Sequence, residues 1–151
     1  MNNSIMSFSE IREKEGFSVQ EKQAMFYRRN PNYSLFFIDP THHNYRDFIS
    51  NEGNRIEYMG HNIKGNTKSD QSTKNPDNSL NENGIFVEAV CRYLTGVQQP
   101  EKIKVYYKVN ASWNCECLGF YDLIGCKKEY LVDKKTGSQR QVFKFLLTKT
   151  S

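Results

Sequence analysis

The sequence predicts an α+β domain built on a curved or barrel-like sheet. Three features carry that reading: one amphipathic helix near the middle of the chain, about six runs with strand patterning, and a close series of those strands and turns after residue 100. At 151 residues the chain has the size of one domain. Its hydrophobic content is modest at 37%, but 13% aromatic residues supply large rings to a core.

The first segment, Phe8 to Arg29, spaces Phe8, Ile11, Glu15, Val19, Met25 and Phe26 at helical intervals, is broken at Gly16, and stops before Asn30-Pro31. It predicts one or two short helices in an N-terminal extension over residues 1–30, ahead of a main domain over 31–151. Tyr33 to Ile38 is a nearly continuous apolar run closed by Asp39-Pro40, which reads as a buried strand. Its expected partner is Arg55 to Met59, which alternates and follows the turn Asn51-Glu52-Gly53-Asn54. Residues 60–79 offer only Ile63 for burial among Asn, Lys, Ser, Thr, Gly and Asp, the composition of a loop that is either functional or disordered. Leu80 to Leu94 then places Ile85, Phe86, Ala89, Val90, Tyr93 and Leu94 on one side of a helix that Gly96 stops.

Lys102 to Asn110 is the clearest strand. Ile103, Val105, Tyr107 and Val109 alternate with Lys102, Lys104, Tyr106 and Lys108, which predicts an apolar face inward and a lysine-bearing face in water. Strands over Cys117–Cys126, Lys128–Val132 and Arg140–Thr148 complete an antiparallel meander, the last two flanking the turn Asp133-Lys134-Lys135-Thr136-Gly137.

No apolar run approaches the ~20 residues of a membrane span, and the opening MNNSIMSF lacks a basic-then-apolar export pattern. A soluble, cytoplasmic protein is expected, with Cys91, Cys115, Cys117 and Cys126 as reduced thiols. The net charge of +4 is unevenly spread: residues 1–100 carry 11 Lys/Arg against 12 Asp/Glu, and residues 101–151 carry 10 against 5, so −1 is followed by +5. A basic, strand-rich third suits a polyanion-binding face or an ordinary solvated one.

Catalytic and metal chemistry find little support. Cys115-x-Cys117 has one intervening residue where zinc pairs need two or more; the two thiols are expected to diverge and to be buried. His42-His43 reads as a polar turn. Pro76-Asp77 with Asp133-x-Lys135 matches a carboxylate-lysine nuclease only formally, since both lie in turns. No glycine-rich phosphate loop and no nucleophile elbow occurs. The chain reads as a binder with no cofactor and no metal, not as an enzyme.

The order Tyr33-Ser-Leu-Phe-Phe-Ile-Asp, Tyr45-Arg-Asp, and Ile56-Glu-Tyr-Met-Gly-His-Asn is followed by Asp70-Gln71, then by Ser79-Leu-Asn-Glu-Asn-Gly-Ile-Phe-Val-Glu-Ala. Pro100-Glu-Lys-Ile-Lys-Val-Tyr, Trp113, Leu118-Gly-Phe-Tyr-Asp-Leu and Gln141-Val-Phe-Lys-Phe-Leu-Leu complete it. Together these fragments, over residues 33–148, resemble the SRA-like (YDG-type, PUA-related) DNA-recognition domains of modification-dependent, often HNH-fused restriction endonucleases of prokaryotic defence. Two departures stand out. Met59 and Asn62 replace acidic residues of the family's Ile-x-Tyr-Glu-Gly-His-Asp, and Cys117-Leu118-Gly119 stands near the place of the Tyr-Asp-Gly. No HNH motif is present, so the resemblance implies a separated or truncated recognition domain with a nuclease in cis or in trans, in a bacterial or archaeal cytoplasm.

The resemblance implies an α+β fold in which a curved, antiparallel or mixed sheet forms a PUA/SRA-like pseudobarrel with one central helix and N-terminal helices. It also implies duplex DNA as partner, with a modified cytosine, 5-methyl or 5-hydroxymethyl, flipped into an aromatic pocket. The candidates for that pocket are Tyr58, Trp113 and Phe120 for stacking and His61 and Asp70 for the base edge; each ring could instead fill the core. Lys64, Lys68, Lys74, Lys104 and Lys108 are the candidates for phosphate contacts. Two other binding readings stay open: a site-specific pseudobarrel effector domain that reads unmodified bases in the major groove, and a PUA-like RNA-binding module.

Overall fold

The computed structural model describes residues 5–17, 25–28, 32–39, 47–50, 52–60, 70–132 and 135–150. Along them run β1 (Ile5–Met6), α1 (Phe8–Glu15), β2 (Met25–Phe26), β3 (Ser34–Ile38), β4 (Phe48–Ile49) and β5 (Arg55–Met59). They are followed by α2 (Glu82–Leu94), β6 (Glu101–Lys108), β7 (Cys115–Val132) and β8 (Gln139–Lys149). The strands join in one mixed, open sheet in the order β2-β3-β6-β7-β8-β5-β4, with β1 added on β7. Every pairing is antiparallel except β3 with β6. A parallel pair needs a long crossover, and here it contains β4, β5 and α2.

The helices begin where their caps allow. Ser7 and Glu10 cap α1 reciprocally: the Glu10 amide donates to Ser7 Oγ at 3.1 Å and the Ser7 amide to Glu10 Oε1 at 3.0 Å. Gly16 ends the helix with a left-handed φ of +76°. Asn81 caps α2 by accepting from the Gly84 amide at 3.0 Å. The helical spacing of Met25 and Phe26 is misleading, because both belong to β2, paired with Phe36 and Leu35. Only Phe8 to Glu15 of that segment is described as helix, and β1 and β2 stitch its flanks into the same sheet.

Four further expectations are corrected. β3 does not pair with β5; it lies between β2 and β6, while β5 lies between β4 and β8. The face of β6 that carries Lys104, Tyr106 and Lys108 is not in water, because α1 covers it. Phe8 and Ile11 pack there with Leu35, Phe37, Tyr106 and Cys115 as a second buried cluster, and Tyr106 is fully buried. With both faces covered, all five residues of β3 are buried, which explains its unbroken apolar run. Cys115 and Cys117 share that face instead of diverging, as residues two apart on a strand must. The two strands expected over Cys117–Cys126 and Lys128–Val132 are one strand, β7, with a register shift between Leu123 and Gly125.

The first cluster fills the other side, between the sheet and α2. Phe36 of β3 stacks on Tyr58 of β5 at 4.5 Å and meets Phe86 of α2 edge-on at 4.9 Å, with Phe145 of β8 beside them. Those rings reach across the sheet's hollow side. Strands separated by four places in the sheet order thus touch through their side chains, which curls the sheet into a pseudobarrel.

A buried carboxylate locks α1 onto this frame. Glu15, the last residue of the helix, accepts from Tyr33 Oη at 2.7 Å, from Lys104 Nζ at 2.7 Å, from Arg28 Nη2 at 3.2 Å and from the Tyr106 hydroxyl. Burial raises its pKa, but the bonds from Lys104, Tyr106 and Tyr33 outweigh it and hold the carboxyl at about 2.

Candidate functional site

The open seam of the pseudobarrel lies between its short edge strands β2 and β4, and Asp47 bridges it where the ends of the strands they flank, β3 and β5, come together. Its Oδ2 accepts from the Asp39 amide at the end of β3 at 3.0 Å, and its Oδ1 accepts from the Met59 amide at the end of β5 at 2.9 Å. One short side chain therefore satisfies backbone donors that no neighbouring strand reaches. Burial pushes this carboxyl up to about 7 against the two amide bonds and the nearby charge of Lys144, while the charge of Asp39 pushes the same way as burial. Asp39 is paired with Lys108 Nζ at 3.0 Å, and Lys144 is itself buried. A desolvated carboxyl that bridges two strand ends beside buried charges makes this place a candidate functional site.

Next to the seam, the ends of the long loop are fixed. The Gly60 amide donates to the Phe143 carbonyl at 2.8 Å, and Gln71 Nε2 donates to the Gly60 carbonyl at 2.6 Å. Gln71 Oε1 accepts from the Phe143 amide at 2.8 Å, so one buried glutamine ties Gly60 to β8. Asp70 Oδ1 accepts from the Gln141 amide at 2.7 Å. Below it, Asn83 and Asn81 both donate to the Ser72 carbonyl, at 2.9 and 2.8 Å. Gly60 is required by close approach: a Cβ there would lie 2.4 Å from Asn83 Oδ1.

The sequence-derived candidates do not form one cluster. Tyr58 lies at the seam but is 3% exposed, with its ring against Phe36. Trp113 and Phe120 lie on the opposite, α1-side face. Trp113 packs on Phe8 at 5.9 Å and carries Lys108 Nζ over its ring at 4.5 Å, while Phe120 is 38% exposed and edge-on to Tyr33 at 5.2 Å. A single pocket of Tyr58, Trp113 and Phe120 is thus not assembled. Lys104 and Lys108 are engaged with Glu15 and Asp39, with side chains only 13% and 12% exposed, so neither stands ready for a phosphate. Lys74 is exposed, on the short bridge that pairs it with Leu80. His61, Lys64 and Lys68 lie outside the described residues. Asp47 was missed as a site residue, although Tyr45-Arg-Asp is one of the fragments that carry the resemblance; a lone acidic residue gives no sign in sequence that it will be buried.

Among the described residues no helix is long and apolar enough to cross a membrane. No protein-family model matches the chain, and no curated protein matches it in sequence. Solved structures do share its fold. The SRA domain of SUVH5, in complex with fully methylated CG DNA, superposes with a TM-score of 0.63 at 13% identity, covering 98% of this chain and 87% of that one. The DNA modification-dependent restriction endonuclease AspBHI gives 0.61 at 11% identity, over 85% of this chain and 34% of that one. The modification-dependent TagI restriction endonuclease gives 0.57 at 15% identity, over 99% and 50%. The chain therefore spans about a third of AspBHI and half of TagI, and its fold is that of an SRA domain.

Proposed function

We propose that this chain is a DNA-recognition domain of a modification-dependent restriction system, and that it reads 5-methyl- or 5-hydroxymethylcytosine by drawing the base out of the duplex into the seam at the ends of β3 and β5. The observation that supports this most is the seam itself: on an SRA-type scaffold, a desolvated carboxyl bridges the ends of β3 and β5 beside the buried, stacked pair Phe36 and Tyr58. Each oxygen of Asp47 accepts one backbone N–H and keeps a second lone pair. A cytosine presents an amino donor beside the ring-nitrogen acceptor, and Asp47 accepts from the first and, when protonated, donates to the second. Tyr58 supplies the ring beneath the base, and His61 and Asp70 reach the flipped nucleotide from the two ends of the loop. Lys64, Lys68 and Lys74 contact phosphates, and a nuclease acts in cis or in trans.

The test is fluorescence-polarisation binding of the chain to otherwise identical duplexes carrying cytosine, 5-methylcytosine or 5-hydroxymethylcytosine at one position. A preference of about tenfold or more for a modified duplex, ~1.4 kcal/mol, supports the reading. Equal affinity for all three removes it and leaves recognition of unmodified sequence. Binding only to single-stranded RNA would move the domain to the PUA-like class.

A further inference from the structure

We propose that the far half of the β7–β8 hairpin is a second DNA-contacting element, a two-stranded ribbon that enters a groove of the same duplex. This rests on the reading of the chain as a DNA-recognition domain. β6 accompanies β7 only as far as Leu123, and β5 accompanies β8 only from Lys144 onward. From the Lys127–Lys144 row to the Val132–Gln139 row, β7 and β8 pair with each other. Over the five steps from Lys127 to Val132, about 17 Å at ~3.3 Å each, no described strand flanks the outer edge of β7, while Asp70 and Gln71 hold the Gln141 and Phe143 amides of β8.

Its chemistry differs from that of a solvated hairpin. Lys128, Tyr130 and Val132 follow one another on one face, opposite Phe143, Gln141 and Gln139. Tyr130 is 67% exposed and Val132 54%, although both are residues that strands normally bury. Residues 126–140 contain five Lys/Arg against Glu129 and Asp133, so this tenth of the chain carries +3 of the net +4. Lys127 is engaged with Glu57 and Glu129 at 3.1 Å, which leaves Lys128 as the exposed cation of the ribbon face. A ring and a branched aliphatic between basic residues match a nucleic-acid groove, where phosphates line the rims and base edges and sugars form the floor.

Geometry supports the same occupant. The ribbon leaves the sheet at Lys144, which pairs with Met59, and the Met59 amide bonds Asp47. Ribbon and seam thus spring from the same end of the sheet. The major groove of B-DNA is ~12 Å wide and admits a two-stranded ribbon, so one duplex can present a base to the seam and a groove to the ribbon.

Lys128→Ala and Tyr130→Ala change only exposed side chains, and each is measured by fluorescence polarisation on cytosine and 5-methylcytosine duplexes from 50 to 200 mM salt. Tyr130→Ala is expected to weaken binding to both duplexes about tenfold and leave their ratio unchanged. Lys128→Ala is expected to lower the slope of log affinity against log salt by about 1. If the wild-type chain prefers the modified duplex but neither variant changes affinity or slope, the ribbon proposal fails and the recognition reading stands. If the wild type binds no DNA, both fail. If Tyr130→Ala instead abolishes self-association seen by sedimentation and leaves DNA affinity unchanged, the ribbon's partner is a second copy of the chain and the proposal is overturned.

Discussion

Replacing Glu15 by Gln keeps the shape of the side chain and removes its charge. In the native protein that charge faces Lys104 at 2.7 Å, and its own side chain is 1% exposed. Two tyrosine hydroxyls and Arg28 complete the cage. The drop of the carboxyl from its ordinary 4.5 to about 2 corresponds to roughly 3 kcal/mol of stability. Breaking a buried pair by altering one partner costs a similar ~3–5 kcal/mol. Glu15→Gln should therefore lose about 3 kcal/mol in urea unfolding at pH 7, a large share of a domain stability of roughly 5–15 kcal/mol. Because the folded value is depressed, the contribution is fully present above about pH 4.5 and fades as the pH falls towards 2. At pH 3 the gap between wild type and variant should shrink to about 1 kcal/mol. A gap below ~0.5 kcal/mol at pH 7, or one that does not change between pH 7 and pH 3, would refute the reasoning.

Outcomes are expected for four other variants. Gly60→Ala places a methyl group 2.4 Å from Asn83 Oδ1 and 3.2 Å from Gln71 Oε1, and thermal unfolding should show a loss of about 1–3 kcal/mol; no change in Tm would contradict the close approach. Asp47 has the opposite sign to Glu15: its folded value, about 7, lies above the ordinary 3.8, so the native state holds a proton that the unfolded chain has lost. Between pH 4 and 7 its contribution falls as pH rises, by up to about 4 kcal/mol, and the difference in unfolding free energy between wild type and Asp47→Asn should change by that order across the window. Lys104→Met should lower stability by at least ~2 kcal/mol without changing the salt dependence of DNA binding, whereas Lys74→Ala should reduce the salt slope by about 1 at unchanged stability.

Periodicity made most of the fold legible. Leu80–Leu94, Lys102–Asn110 and the basic C-terminal strands stand within two or three residues of α2, β6, β7 and β8, because each buries one face against a continuous layer. The reading failed where a second layer was invisible. Nothing local in Lys104-Val105-Tyr106 tells that α1 will cover the lysine side, since the cover comes from 90 residues upstream through Glu15. Met25-Phe26 is too short to show a period, and its strand pairing depends on Phe36 and Leu35. The parallel β3–β6 pairing is likewise fixed by the crossover and not by either strand. At the site, Gly60, Asp70 and the Asn81-Glu82-Asn83-Gly84 cap were visible as motif fragments, and Tyr58 as a ring at a strand end. Asp47 matters through two amides that come together only when the sheet curls.

The central claim is that a modified cytosine leaves the stack and enters the seam beside Asp47. A duplex carrying 5-methylcytosine with 2-aminopurine as its stacked neighbour reports that event directly, because the probe brightens when its neighbour is withdrawn. The account requires a rise in fluorescence on binding of the wild-type chain, absent with the cytosine duplex and strongly reduced with Asp47→Asn at protein concentrations that saturate the DNA. Saturating binding with no change in fluorescence on the methylated duplex would contradict it.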